Sequence, residues 1–230
     1  MKLTGQQAED EVRFWMNQDT EHLQFLAENT VEPTLQKDAA SLWSTYRTSL
    51  PTATPEQVTT LLAQSQALKR RALDASLQGW IGWLFPAVIE HMIIEMDAMT
   101  ARVTTGLPDR DELCLIAQHS AEVAAVVAHL LDPTELDLQA AARKEAREAG
   151  DVADACQTQE YAALRQATLS GTGRLEQLSI DPRLARARSI LNPAMVAHER
   201  RENMRFAMML NAIPAQDPAA PAQPGFAGWR

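Results

Sequence analysis

Glycine is scarce in this chain, 9 residues in 230. Abundant Ala, Leu, Glu, Gln and Met take its place, a composition that favours helices. No glycine-rich phosphate loop and no Gly-x-Ser-x-Gly elbow can be found, so neither nucleotide cradling nor serine hydrolysis has a local signature. The two cysteines, Cys114 and Cys156, are too few for a disulfide framework and lack zinc-ribbon spacing. They are expected to be buried thiols of a reducing compartment. The first residues carry no apolar signal core, and the longest apolar run, 79–89, is too short to span a bilayer. A net charge of −9 leaves no broad basic field for nucleic acid or anionic lipid. The local basic clusters, Lys69-Arg70-Arg71 and Arg183 to Arg188, read as ordinary helix surface. A cytoplasmic protein that binds neither nucleic acid nor membrane is the expectation.

What is present is helical periodicity. Val12, Trp15, Met16, Leu23 and Leu26 mark a first helix ending near Glu28. Glu32-Pro33 opens a second that ends before Pro51, and Thr54-Pro55-Glu56-Gln57 opens a third with threonine as its cap. Gly79 and Gly82 loosen the chain before Pro86 begins a fourth helix running to about Thr104. After the break at Thr105-Gly106-Leu107-Pro108 the pattern starts again. Asp111-Glu112-Leu113 answers Asp10-Glu11-Val12, and Asp132-Pro133-Thr134 answers Glu32-Pro33-Thr34. Helices are predicted over roughly 134–148, 152–170 and 182–212, with Gly171-Thr172-Gly173 as a flexible junction. The predicted organisation is all-α: a tandem duplication of an up-and-down helical bundle, with repeats over 1–106 and 107–212. From Ile213 the prolines predict a flexible tail, 213–230, whose end Gly225-Phe226-Ala227-Gly228-Trp229-Arg230 could dock on a protein partner.

One motif occurs twice. Leu84-Phe85-Pro86-Ala87 leads to His91 and Glu95, and Leu191-Asn192-Pro193-Ala194 leads to His198 and Glu202 at the same spacing. Residues i and i+4 share one face of a helix, so each pair can point together into a bundle interior. Two polar groups there are costly unless something satisfies them. The first helices add Glu112, His119 and Glu122 in the second half, aligned with Glu11, Gln18 and Glu21 in the first. The set resembles in kind the carboxylate-bridged dimetal sites of four-helix bundles, though those use Glu-x-x-His where this chain has His-x-x-x-Glu. The candidate metal ligands are therefore Glu21, His91, Glu95, His119, Glu122, His198 and Glu202. Iron or manganese suits such donors, and zinc stays open. His22 and His129 read as core or boundary histidines.

Glu11-x-x-Phe14-Trp15, Glu21-His22-x-x-Phe25, Glu32-Pro33-Thr34 and the distal Pro-x-x-x-Glu-His-Met-x-x-Glu resemble the DUF2935 family, bacterial all-α proteins with two helical-bundle repeats and bound metal. The resemblance covers the chain to about residue 212 and implies duplication and metal rather than any one reaction. The expected protein is a ferritin-like metalloprotein whose centre lies where the first and last helices of the repeats meet. An oxidase or peroxide-handling enzyme, a non-catalytic metal store or sensor, and a metal-free partner-binding bundle all remain open. So does a homo-oligomer.

Overall fold

A computed structural model describes residues 5–79, 81–82, 84–184, 187 and 193–215. Among them are eight α-helices and no strands. The chain divides into two compact units at Gly106 and Leu107.

The first unit contains α1 (Gln6–Asn29), α2 (Pro33–Ser49), α3 (Pro55–Gln78) and α4 (Pro86–Thr104). Within it α1 packs on α2 and α4, and α3 on α2 and α4. Three of these helices begin with proline at the first turn, where the missing N–H leaves nothing unsatisfied. Glu32 caps α2 by accepting from the backbone N–H groups of Thr34 and Leu35. Thr54 and Gln57 form a reciprocal capping box at the start of α3. Trp15, Met16, Leu23 and Leu26 from α1, Leu61 and Leu68 from α3, and Ile89, Met92 and Met96 from α4 are all buried. Each such side chain contributes about 1.5–3 kcal/mol through removal from water. Gly82 does more than loosen the chain. Its φ is +149°, and a Cβ there would lie 1.9 Å from the carbonyl oxygen of Asn29. Only glycine permits the short bridge by which residues 81–82 meet the end of α1.

The second unit contains α5 (Asp109–Leu130), α6 (Leu136–Ala155), α7 (Tyr161–Ser179) and α8 (Pro193–Ala212). Helix α5 packs on the other three, and α7 on α6 and α8. By length and composition α5 could cross a membrane, but 61% of its apolar window is buried within the protein. It is the core helix of its unit.

Several expectations change here. Gly171 and Gly173 lie inside α7 and form no junction. Gly171 is buried, and a Cβ would come within 3.4 Å of the Glu145 carboxylate, so the glycine serves close packing of α7 on α6. The break between α6 and α7 falls at 156–160 instead of near 150, and α7 continues through 171–173 to Ser179. Helix α6 starts at Leu136, two residues after the predicted start, and runs to Ala155, beyond the predicted end near 148; Asp132 accepts from the Thr134 N–H. The segment 181–184 forms turns, and α8 is described from Pro193, so an α-helix does not begin at 182.

Cys114 and Cys156 are not thiols: they form a disulfide, with Cα atoms 5.5 Å apart, that ties α5 to the end of α6. The case for a reducing compartment that rested on free thiols falls with it. Lys69, expected on the surface with Arg70 and Arg71, is fully buried. Ile213 is buried as well, and the carbonyls of Ile213 and Pro214 accept from Arg165 and Tyr161, so the packed chain extends past Ala212. The peptide 225–230, Trp80, Trp83 and residues 188–192 lie outside the described residues.

Candidate functional site

The polar residues buried in the first unit follow one stripe of α1. Glu11, Trp15, Gln18 and His22 recur at spacings of four, three and four, which keeps them on a single face, and all four are buried. Helix α4 supplies His91 and Glu95 one turn apart, each followed by a buried methionine, Met92 and Met96. His22 Nε2 lies 3.5 Å from Glu95 Oε2. A nitrogen of His91 is within 4.8 Å of a Glu95 oxygen as well. Glu95 is therefore a buried carboxylate with an imidazole from each of two helices beside it.

Behind His22 is a second polar layer. Asp19 is fully buried and accepts from Lys69 Nζ, from Ser65 Oγ at 3.0 Å, and from Tyr46 Oη at 2.7 Å. Lys69 also donates to the Met92 carbonyl at 3.1 Å. Burial alone would raise the Asp19 pKa, but the Lys69 charge and the contacts with His22 outweigh it and hold the carboxyl well below the usual range. The Tyr46 phenol moves the other way, raised first by burial and then by the Asp19 charge beside it. Glu11, higher on the stripe, pairs with Arg102 and accepts from Trp15 Nε1 at 2.8 Å.

In the second unit the same stripe positions of α5 are Glu112, Ile116, His119 and Val123, again all buried. Helix α8 brings His198 and Glu202 together, with Nε2 2.9 Å from Oε1. A nitrogen of His119 lies within 4.8 Å of a Glu202 oxygen. The His119 ring packs against Phe206, centroids 4.3 Å apart. Like Glu95, Glu202 is a buried carboxylate beside imidazoles from two helices.

Five of the residues picked out by sequence thus fall into two His/Glu groups: His91 and Glu95 in one unit, His119, His198 and Glu202 in the other. Glu21 and Glu122 stand apart from these groups. Both are half-buried, and Glu122 accepts from Gln118 at 2.8 Å. His22 joins the first group although it read as a core histidine. The signal was available: counted from Glu11, the buried stripe passes through His22 and leaves Glu21 about 80° to one side. His129, read from sequence as a core or boundary histidine, is exposed in the last turn of α5.

The fold has a solved counterpart. An uncharacterised protein from Bacillus cereus G9241 superposes with a TM-score of 0.74 over 89% of this chain and 89% of its own, at 19% sequence identity. Uncharacterised protein L567 of Acanthamoeba polyphaga mimivirus is 29% identical over 56% of this chain and 49% of its own length. The chain thus spans about half the length of that curated relative. No family model matches the sequence.

Chemically, each group offers hard carboxylate oxygen and borderline imidazole nitrogen, with no thiolate. A carboxylate buried among methionines and isoleucines needs a proton or a cation to offset its lost hydration. These buried groups could hold a metal ion.

Proposed function

We propose that this chain is a ferritin-like, duplicated helical-bundle metalloprotein of DUF2935 character, holding iron or manganese through its buried glutamates and histidines and acting on dioxygen or peroxide. The observation that carries this reading is the recurrence of one arrangement in both units: a buried glutamate on the last helix with an imidazole one turn before it and another from the unit's first helix. Carboxylate with imidazole, without sulfur, is a donor set that suits iron and manganese, with zinc as a third occupant. When bound, such a metal would supply the redox chemistry that no side chain here can. The protein's own part is to neutralise bound cation with a buried glutamate in each unit, Glu95 beside His22 and His91 and Glu202 beside His119 and His198, and to keep bulk water out through burial.

A cavity of about 20 Å³ lies beside Val123, Leu175, Met195, Glu199 and Asn203 in the second unit, room for one water-sized molecule, and none of the candidate ligands lines it. The depth of burial favours one alternative, a non-catalytic store or sensor that binds metal and exchanges it slowly: Glu202 is 0% exposed and His22 1%.

Steady-state consumption of dioxygen or hydrogen peroxide by iron-loaded protein, with an added reductant, separates the two. Sustained turnover that falls at least tenfold in Glu95→Gln supports the enzyme. Metal binding without turnover leaves the store or sensor.

A further inference from the structure

His22 has two distinguishable nitrogens, and the fold gives each a different neighbour. Nε2 faces the Glu95 carboxylate at 3.5 Å. Nδ1 faces Asp19 Oδ1 at 3.8 Å and Lys69 Nζ at 3.4 Å. Asp19 has little freedom to move, because Lys69, Ser65 and Tyr46 all donate to it from α3 and α2. Of the three contacts Lys69 makes in this layer, the one to the imidazole is the loosest; those to Asp19 and to the Met92 carbonyl are shorter. The ammonium therefore holds the carboxylate. Lys69 can only donate, so a protonated Nδ1 has Asp19 as the neighbour able to accept from it, across a separation of 3.8 Å that is longer than a hydrogen bond.

We infer that Asp19 is a positioning residue: fixed by Lys69, Tyr46 and Ser65, it sets the orientation and tautomer of His22 so that Nε2 is the nitrogen presented to a metal ion. A ligating histidine commonly directs its other ring nitrogen at a carboxylate, which fixes the tautomer and raises the basicity of the ligating nitrogen. The inference rests on the metal reading above, and it adds residues that the ligand set leaves out. The second unit is built differently. The position aligned with Asp19 is Ser120, which is buried, and His119 is backed by the Phe206 ring.

The test is a titration of full-length, chelator-stripped protein with Co²⁺, followed by its visible absorption. Asp19→Asn in a Lys69→Met background removes both charges of the buried pair together, so neither is stranded. Tyr46→Phe is the milder companion, removing one donor to Asp19 and leaving the ion pair intact. The expected result is Co²⁺ affinity about 10–100-fold weaker in the double variant, a smaller loss in Tyr46→Phe, and an altered absorption band in both. Wild-type affinity and an unchanged band in folded variants would overturn the positioning role while leaving the metal reading standing, provided His22→Ala weakens Co²⁺ binding. If His22→Ala binds Co²⁺ as wild type does, His22 is not a ligand, and the inference falls together with its part of the metal reading. A lower melting temperature with unchanged affinity would mark Asp19 as structural only, which also overturns it.

Discussion

The two units have the same helix order and the same His-x-x-x-Glu pair on their last helix, yet they support it by different means. The first unit places a fully buried ion pair, Asp19 with Lys69, behind its α1 imidazole and completes it with Tyr46 and Ser65. The second packs a phenyl ring against its α5 imidazole. It ties its helices with the Cys114–Cys156 disulfide and with Arg174, which reaches the buried Glu145. What the units have in common is the carboxylate between imidazoles; the surrounding packing is where they part. One unit depends on buried electrostatics, which are sensitive to losing either partner. The other depends on a covalent link, which is sensitive to reductant.

That difference can be broken from the first side by Lys69→Met alone. It leaves Asp19 as a buried carboxylate without its cation, and a loss of about 3–5 kcal/mol is expected. The loss should localise to α1 and α3 by hydrogen exchange. The contrasting variant Arg70→Met removes a half-exposed partner of Asp97 and should cost no more than about 1 kcal/mol. Because the Asp19 pKa is lowered on folding, its stabilisation is present above the unfolded value of 3.8 and is lost as pH falls below it. In Lys69→Met the buried Asp19 carboxylate, without its cation, takes up a proton at higher pH than in the wild type, so the gap between the two proteins should be widest at neutral pH and above and narrow steadily as pH falls. Equal melts at pH 7 would mean that the pair is not buried as described.

From the other side, reduction of the disulfide should destabilise the second unit. Its sulfurs join residues separated by 42 in sequence, a loop for which about 2–4 kcal/mol is expected. Urea unfolding with and without reductant, followed by exchange in α5 and α6, measures it. A loss centred on α1 to α4 would contradict the assignment.

The smallest effect probes what the units have in common. Glu95→Gln and Glu202→Gln should each make metal-free protein melt slightly higher at pH 7.5, by about 1 kcal/mol, because each removes the charge of a buried, desolvated carboxylate. The gain should shrink at pH 5 as the wild-type carboxylates protonate. A fall in stability at both pH values would show that these carboxylates are satisfied within the apo protein.

Much of this architecture was legible in the residues. Glu32, Thr54 and the three prolines are local start signals, and local signals survive folding: α2, α3 and α4 begin where they point. The His91/Glu95 and His198/Glu202 pairs were legible because a four-residue spacing needs only a helix to bring them together. What failed depends on tertiary contact. Gly171 reads as a helix breaker until Glu145 is seen beside it. Lys69, next to two arginines, reads as surface until Asp19, on another helix, is placed against it. The disulfide is likewise a contact between distant residues. His22 is a different case: its stripe was countable from Glu11, whereas Glu21 was picked as the position aligned with Glu122 in the other half.

The central claim is that the buried glutamates and histidines hold metal, and elemental analysis tests it most directly. Protein purified without chelator is compared as wild type, His91→Ala and His198→Ala, with metal read per chain. Stoichiometric iron or manganese in the wild type, with metal lost in each single variant, is the predicted result. Loss of half in each variant would keep the metal and assign independent sites. Wild-type protein that carries no transition metal, and takes up none when iron, manganese or zinc is supplied, would contradict the account.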